Sequence, residues 1–174
     1  MFMQNKDEPN RTLIRALLSG DELSMVVRSH IKVEEQVDHF LVLHVVSYKH
    51  LEKISLTFAE KCLLAVALGM DEDLIKPLST LGNIRNKFAH KTDSELTKSD
   101  VNNFYKAFSA TGKEVLQETI ATNSDRPEQL ARKYNDMSIR EKFALMTIYL
   151  HSNIRGLVHD EVERMNALNN EGSL

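Results

Sequence analysis

The sequence predicts an all-α protein, a single helical bundle with a C-terminal helical extension. Three observations carry that prediction. Glycine (6) and proline (3) are scarce among 174 residues, so few positions interrupt a helix. Apolar residues recur at spacings of three and four, and no run alternates with period two. Capping residues stand where the periodic segments begin.

Residues 1–10 are polar and read as a frayed arm. Thr12 to Leu18 reads as a short helix stopped by Ser19-Gly20. Asp21 can cap a long helix reaching about Lys49, with Leu23, Val27, Ile31, Val37, Leu41 and Val45 as its apolar stripe. Thr57 with Glu60 has capping-box spacing and opens a helix that Gly69 ends. Asp71-Glu72-Asp73 place negative charge at the start of a helix over about 73–90, with Pro77 near its first turn. Residues 91–96 form a polar connection. Thr97 and Asp100 repeat the box spacing and open a helix to about Ala121.

Thr122 to Pro127 is the clearest break in the chain. A short helix over about 127–134 follows. Then Ser138 and Glu141 open a longer helix with Ile139, Phe143, Met146, Tyr149 and Leu150 on one face. The polar stretch Asn169 to Leu174 ends the sequence. The division is therefore an N-terminal arm and short helix over 1–19, a helical core over 20–122 and a C-terminal helical extension over 123–174.

Composition narrows the function. The apolar fraction of 42% supports a core without disulfides or metal. The lone Cys62 sits in an apolar segment and reads as a small buried hydrophobe; one cysteine points to a reducing compartment, so a cytoplasmic location is expected. A net charge of −3 gives no basic footprint, and no recognition helix is evident, so tight sequence-specific DNA binding is not expected. No apolar run approaches membrane-spanning length.

Periodicity isolates two charged residues on core stripes. Glu34 lies on the stripe of the 21–49 helix, and Arg85 on the stripe Leu74, Leu78, Leu81, Arg85, Phe88. A buried charge costs several kcal/mol, roughly, unless it is paired. An ion pair between Glu34 and Arg85 across the helix interface is the structural expectation. The functional alternative leaves Arg85 accessible to a phosphate or a partner. Asn83, Asn86 and His90 share a polar stripe beside that face.

The run Gly20 to Glu34, the segment Phe58-Ala59-Glu60-Lys61 with Ala67-Leu68-Gly69, and the string Ile84-Arg85-Asn86-Lys87-Phe88-Ala89-His90 resemble the mannitol-operon-repressor-like (MltR) family. The resemblance covers about residues 20–120, and Arg-Asn-Lys-Phe-Ala-His is its most specific piece. That family is similar to HEPN domains, helical bundles that are often dimeric. The resemblance implies regulators, and immunity proteins that neutralise nuclease toxins of contact-dependent growth inhibition. It also implies a metal-independent ribonuclease as an alternative, with Arg85, Asn86 and His90 as the catalytic set. Five positions apart on one helix, Arg85 and His90 point about 140° from each other. They converge only if the helix stops before His90 or a second subunit completes the site.

His30, Glu34 and Asp38 at i, i+4 and i+8 have superficial metal-ligand spacing, but no second cluster completes a coordination sphere. Glycines are too few for a phosphate loop, and no cofactor is implied. Lys49, His50 and Lys53 form a small basic corner. Asp71, Glu72, Asp73, Asp93 and Glu95 flank the 73–90 helix and are candidate contacts for a basic nuclease. The expected function is a non-enzymatic macromolecule-binding protein with a protein partner, an immunity protein or a regulator, and a homodimer as an option. The alternatives are the ribonuclease and a transcriptional repressor.

Overall fold

The computed structural model describes residues 8–90, 94–122 and 133–171. Eight α-helices and no strand are found among them: α1 (Glu8–Leu18), α2 (Glu22–His44), α3 (Tyr48–Leu51), α4 (Phe58–Ala67), α5 (Ile75–His90), α6 (Lys98–Ala107), α7 (Ala110–Thr122) and α8 (Ile139–Glu171). The all-α bundle is thus observed.

The starts are fixed by the expected caps. Asp21 accepts from the Ser24 amide at 2.6 Å and opens α2. Thr57 and Glu60 close a reciprocal capping box at α4, and Thr97 and Asp100 do the same at α6. Gly69 ends α4 with φ +108, a left-handed backbone that a side chain would strain. There the Met70 amide reaches back to the Ala65 carbonyl at 2.9 Å.

Two expected helices are shorter than the sequence suggests. Helix α2 stops at His44, because Val45 is extended and the chain turns before the separate helix α3. The helix expected over 98–121 breaks at Phe108 (ψ 147). The Ser109 hydroxyl then accepts from the Gly112 amide at 3.2 Å and starts α7. Gln117 Nε2 donates to the Tyr105 hydroxyl at 2.8 Å, so α7 folds back along α6 and buries Leu116. The short helix expected over 127–134 falls mostly outside the described residues. Tyr134–Asp136 is a 3-10 turn.

The most extensive packing joins α2 and α8, which run parallel. Arg140 donates to the Leu18 and Gly20 carbonyls beside the start of α2. Lys32 and Glu35 influence His151, and His44 influences Glu161 near the end of α2. Both helices carry a strict alternation of four- and three-residue steps along this seam. On α2 it reads Val26, Ser29, Val33, Gln36, Phe40, all buried. On α8 it reads Ala144, Thr147, His151, Ile154, also buried, followed by Val158, Glu161, Met165 and Leu168. This is coiled-coil spacing. Helices α4 and α5 grip α2 on an adjoining face. The buried face of α2 therefore lies away from the expected stripe: Val37 and Leu41 are buried, but Leu23 (51%) and Ile31 (46%) are exposed. One apolar core runs from Leu17 of α1 to Ile154 of α8. The helix expected as part of an extension is thus central to that core.

Candidate functional site

A recess of about 700 Å³ opens between α2, α4 and α5. Its apolar walls include Leu56, Phe58, Leu63 and Ile75, and its polar groups include His30, Glu34, Asn83, Arg85 and Asn86. Gly82 makes the close packing possible: a Cβ there would come within 3.2 Å of the Phe58 ring. Phe58 in turn lies tilted against the His30 ring, with centroids 4.3 Å apart.

The expected ion pair is not formed. Lys61 Nζ, on α4, donates to Glu34 Oε1 at 2.8 Å and to Asp38 Oδ2 at 2.9 Å. Arg85 is exposed, and its Nη1 donates to Asn86 Oδ1 at 3.2 Å. The reason is the recess. Arg85 keeps its place on the buried arc of α5, between Leu81 and Gly82, but the recess opens over that part of the helix and its side chain reaches solvent. Glu34 keeps a counterion, but from a different helix. The same ammonium stands between Glu34 and Asp38, where the metal-like spacing was noted. Among the described residues no group of three metal-ligating side chains occurs.

His30 is buried, with Nδ1 3.5 Å from the Glu34 carboxylate. Desolvation holds its pKa below the ordinary histidine value, although Glu34 works in the opposite direction. Burial disfavours the charged form of Lys61, but the hydrogen bonds it donates to Glu34 and Asp38 outweigh this and raise its pKa. Cys62 lines the recess, and burial pushes its thiol up to about 12, which suppresses the thiolate.

Helix α5 continues through His90, so the divergence from Arg85 stands. His90 is exposed and does not line the recess, whereas Arg85 and Asn86 do. The histidine that shares their recess is His30. The acidic candidates are not brought together. Asp71, Glu72 and Asp73 are exposed at the start of α5, with Asp71 accepting from the Asp73 amide at 2.9 Å. Glu95 is exposed near the other end of α5, beside Lys87 and about 18 Å along the helix axis from Ile75. Asp93 lies outside the described residues.

Other polar contacts were not anticipated. Lys87 Nζ bridges Asp100 Oδ2 at 2.7 Å and the Glu95 carbonyl at 2.8 Å. The Leu96 amide donates to Glu22 Oε2 at 2.6 Å, tying the start of α2 to the segment before α6. On the α2–α8 seam, the buried Ser29 Oγ, Thr147 Oγ1 and His151 Nδ1 have no hydrogen-bond partner among the described residues. The four-and-three spacing from Ala144 to Leu168 is the signal for that seam, masked by its polar members Thr147, His151 and Glu161.

Fold and recess together define an all-α bundle with an open cleft of mixed apolar and polar lining. Comparison with known proteins finds no matching family model, no similar curated protein and no similar solved structure. No described helix is long and apolar enough to cross a membrane.

Proposed function

We propose that the chain is a non-enzymatic, protein-binding bundle: an immunity protein that neutralises a nuclease toxin, or a regulator of the MltR-like kind. The observation that supports this reading is the recess itself. It combines an apolar lining with exposed Leu63 (61%) at its edge and the donors of Arg85, Asn83 and Asn86 around it. Such a cleft suits one apolar or aromatic anchor of a partner, encircled by polar contacts. The exposed carboxylates at both ends of α5 favour a basic partner.

The test is inhibition. Titrated into a basic nuclease toxin encoded beside it, the chain should abolish cleavage at one-to-one stoichiometry. Leu63→Asp should weaken that protection, and the chain alone should leave RNA intact.

A second reading, the metal-independent ribonuclease, draws on Arg85 and Asn86 lining the same recess as a neutral-leaning His30. In that reading Arg85 and Asn86 hold the scissile phosphate, and within one chain His30 rather than His90 is placed to move a proton. RNA cleavage by purified wild-type chain, lost in Arg85→Ala, would replace the binding role with this one. Loss in His90→Ala as well would demand a second subunit at the site.

A further inference from the structure

The recess has two unlike walls. Helix α4 and the turn before it supply the apolar one, with Leu56, Phe58 and Leu63. Helix α5 supplies the polar one. Ser79, Asn83 and Asn86 follow one another at steps of four and three, so they share one face of the helix, and Arg85 stands beside them. This wall is arranged to donate. Asn86 Oδ1 accepts from Arg85 Nη1 at 3.2 Å, which leaves the Asn86 amide nitrogen and the rest of the guanidinium for a ligand. Among the described residues the guanidinium forms no ion pair. The other charge in the recess is compensated, since Glu34 holds the Lys61 ammonium at 2.8 Å. His30 is only 8% exposed at its side chain, and its lowered pKa leaves the ring uncharged at neutral pH. The uncompensated charge of the recess is therefore positive, and it lies on Arg85.

We propose that the recess binds a small organic acid, a carboxylate carried on an apolar or aromatic body. The body packs on Leu56, Phe58 and Leu63. The carboxylate meets Arg85 in two-pronged fashion, a match that the planar guanidinium makes better than any other side chain, with the amides of Asn86 and Asn83 beside it. An apolar cavity with a few convergent polar groups is the usual form of a small-molecule site, and about 700 Å³ falls within the ~300–1,000 Å³ of such sites. The last residue of a polypeptide offers the same chemistry as a free acid, and the test separates the two. The site goes beyond both functions considered above and rests on neither: it stands whether or not the chain protects against a nuclease.

Titration calorimetry of the full chain with 3-phenylpropionate, and with octanoate as a second body, tests this. Binding at one site is expected. The amide of 3-phenylpropionate, with the same body and no charge, should bind at least about tenfold more weakly, equal to ~1.4 kcal/mol. Arg85→Gln should weaken the acid by a similar factor. Arg85→Lys, which keeps the charge and loses the fork, should fall between. Leu63→Asp, at the recess edge, should also weaken binding. Each of these side chains is exposed, so the variants should retain the wild-type circular dichroism spectrum. Lys49→Ala, in the exposed basic corner, should leave the affinity unchanged. A chain that binds neither acid overturns the proposal. So does equal binding of acid and amide, or equal affinity in wild type and Arg85→Gln. Uridine 3′-monophosphate that outbinds both acids overturns it in favour of a phosphate ligand. A peptide with a free C-terminal phenylalanine that binds where 3-phenylpropionate does not overturns it in favour of a chain terminus.

Discussion

The Lys61 ammonium sits 2.8 Å from the Glu34 carboxylate, bridging α4 to α2, and its second hydrogen bond reaches Asp38 at 2.9 Å. All three side chains are largely shielded, at 20%, 27% and 28% exposure. Lys61 is thus the ion that allows two carboxylates to sit beside the core, the role that helical spacing assigned to Arg85.

Lys61→Ala should cost roughly 1–3 kcal/mol, since it strands two partly buried carboxylates. Arg85→Ala should stay within about 0.5 kcal/mol, because its guanidinium is exposed. Urea denaturation midpoints compare the two directly. A larger loss in Arg85→Ala would contradict the arrangement.

Stability should fall in mild acid. His151 is buried on the α2–α8 seam, and burial lowers its pKa from 6.5 to about 4; Arg155 and Lys32 act in the same direction and Glu35 opposes them. Between those values the unfolded chain binds a proton that the folded chain does not. Stability from this group is therefore complete above about pH 6.5 and lost as pH falls toward 4, by at most about 3 kcal/mol. His30, shifted the same way, adds to the slope. Melting temperatures of wild type and His151→Leu should lie closest at pH 7 and separate as pH falls toward 4, with wild type dropping below the variant, whose profile is flatter.

The orphaned hydroxyls of the seam should be dispensable. Ser29→Ala and Thr147→Val each remove a buried oxygen that has no partner among the described residues. Stability should hold or rise by up to about 1 kcal/mol, since no hydrogen bond is broken and a desolvated group disappears. A loss above 1 kcal/mol, roughly, in either variant would mean that the hydroxyl has a partner in solution.

Cys62 should resist thiol reagents while the chain is folded. Its burial and a pKa near 12 leave almost no thiolate at neutral pH. Labelling should follow unfolding and accelerate in denaturant, and fast stoichiometric reaction of the native chain would refute this.

Helix starts were legible because their signals are local. Asp21, Thr57 and Thr97 each engage an amide three residues on, a contact the sequence contains whole. What escaped was rotation and partner choice. Leu23 and Ile31 have the right spacing for a core face, but α2 is gripped by α8 on one side and by α4 and α5 on another, which turns them outward. Arg85 shares its stripe with Leu81 and Phe88, as its spacing indicates, yet the recess opens over that part of α5 and leaves its guanidinium exposed. In the recess, Arg85 and Asn86 could be read from their string. His30 and Lys61 could not, because they come from other helices and meet only after the bundle closes. The seam hid behind its own polarity, since Ser29, Gln36, Thr147 and His151 occupy positions where apolar residues advertise a core.

The parallel pairing of α2 with α8 also sets the order in which the molecule can be made. Residues 45–138 separate the two helices, and the loop between them must close before the seam yields any stabilisation. During synthesis α2 leaves the ribosome with its seam face uncovered, roughly 5–20 s before α8 begins to emerge. In that interval α4 and α5 can cover only its adjoining face. A chain truncated before Ile139 should therefore yield an aggregating product rather than a smaller bundle.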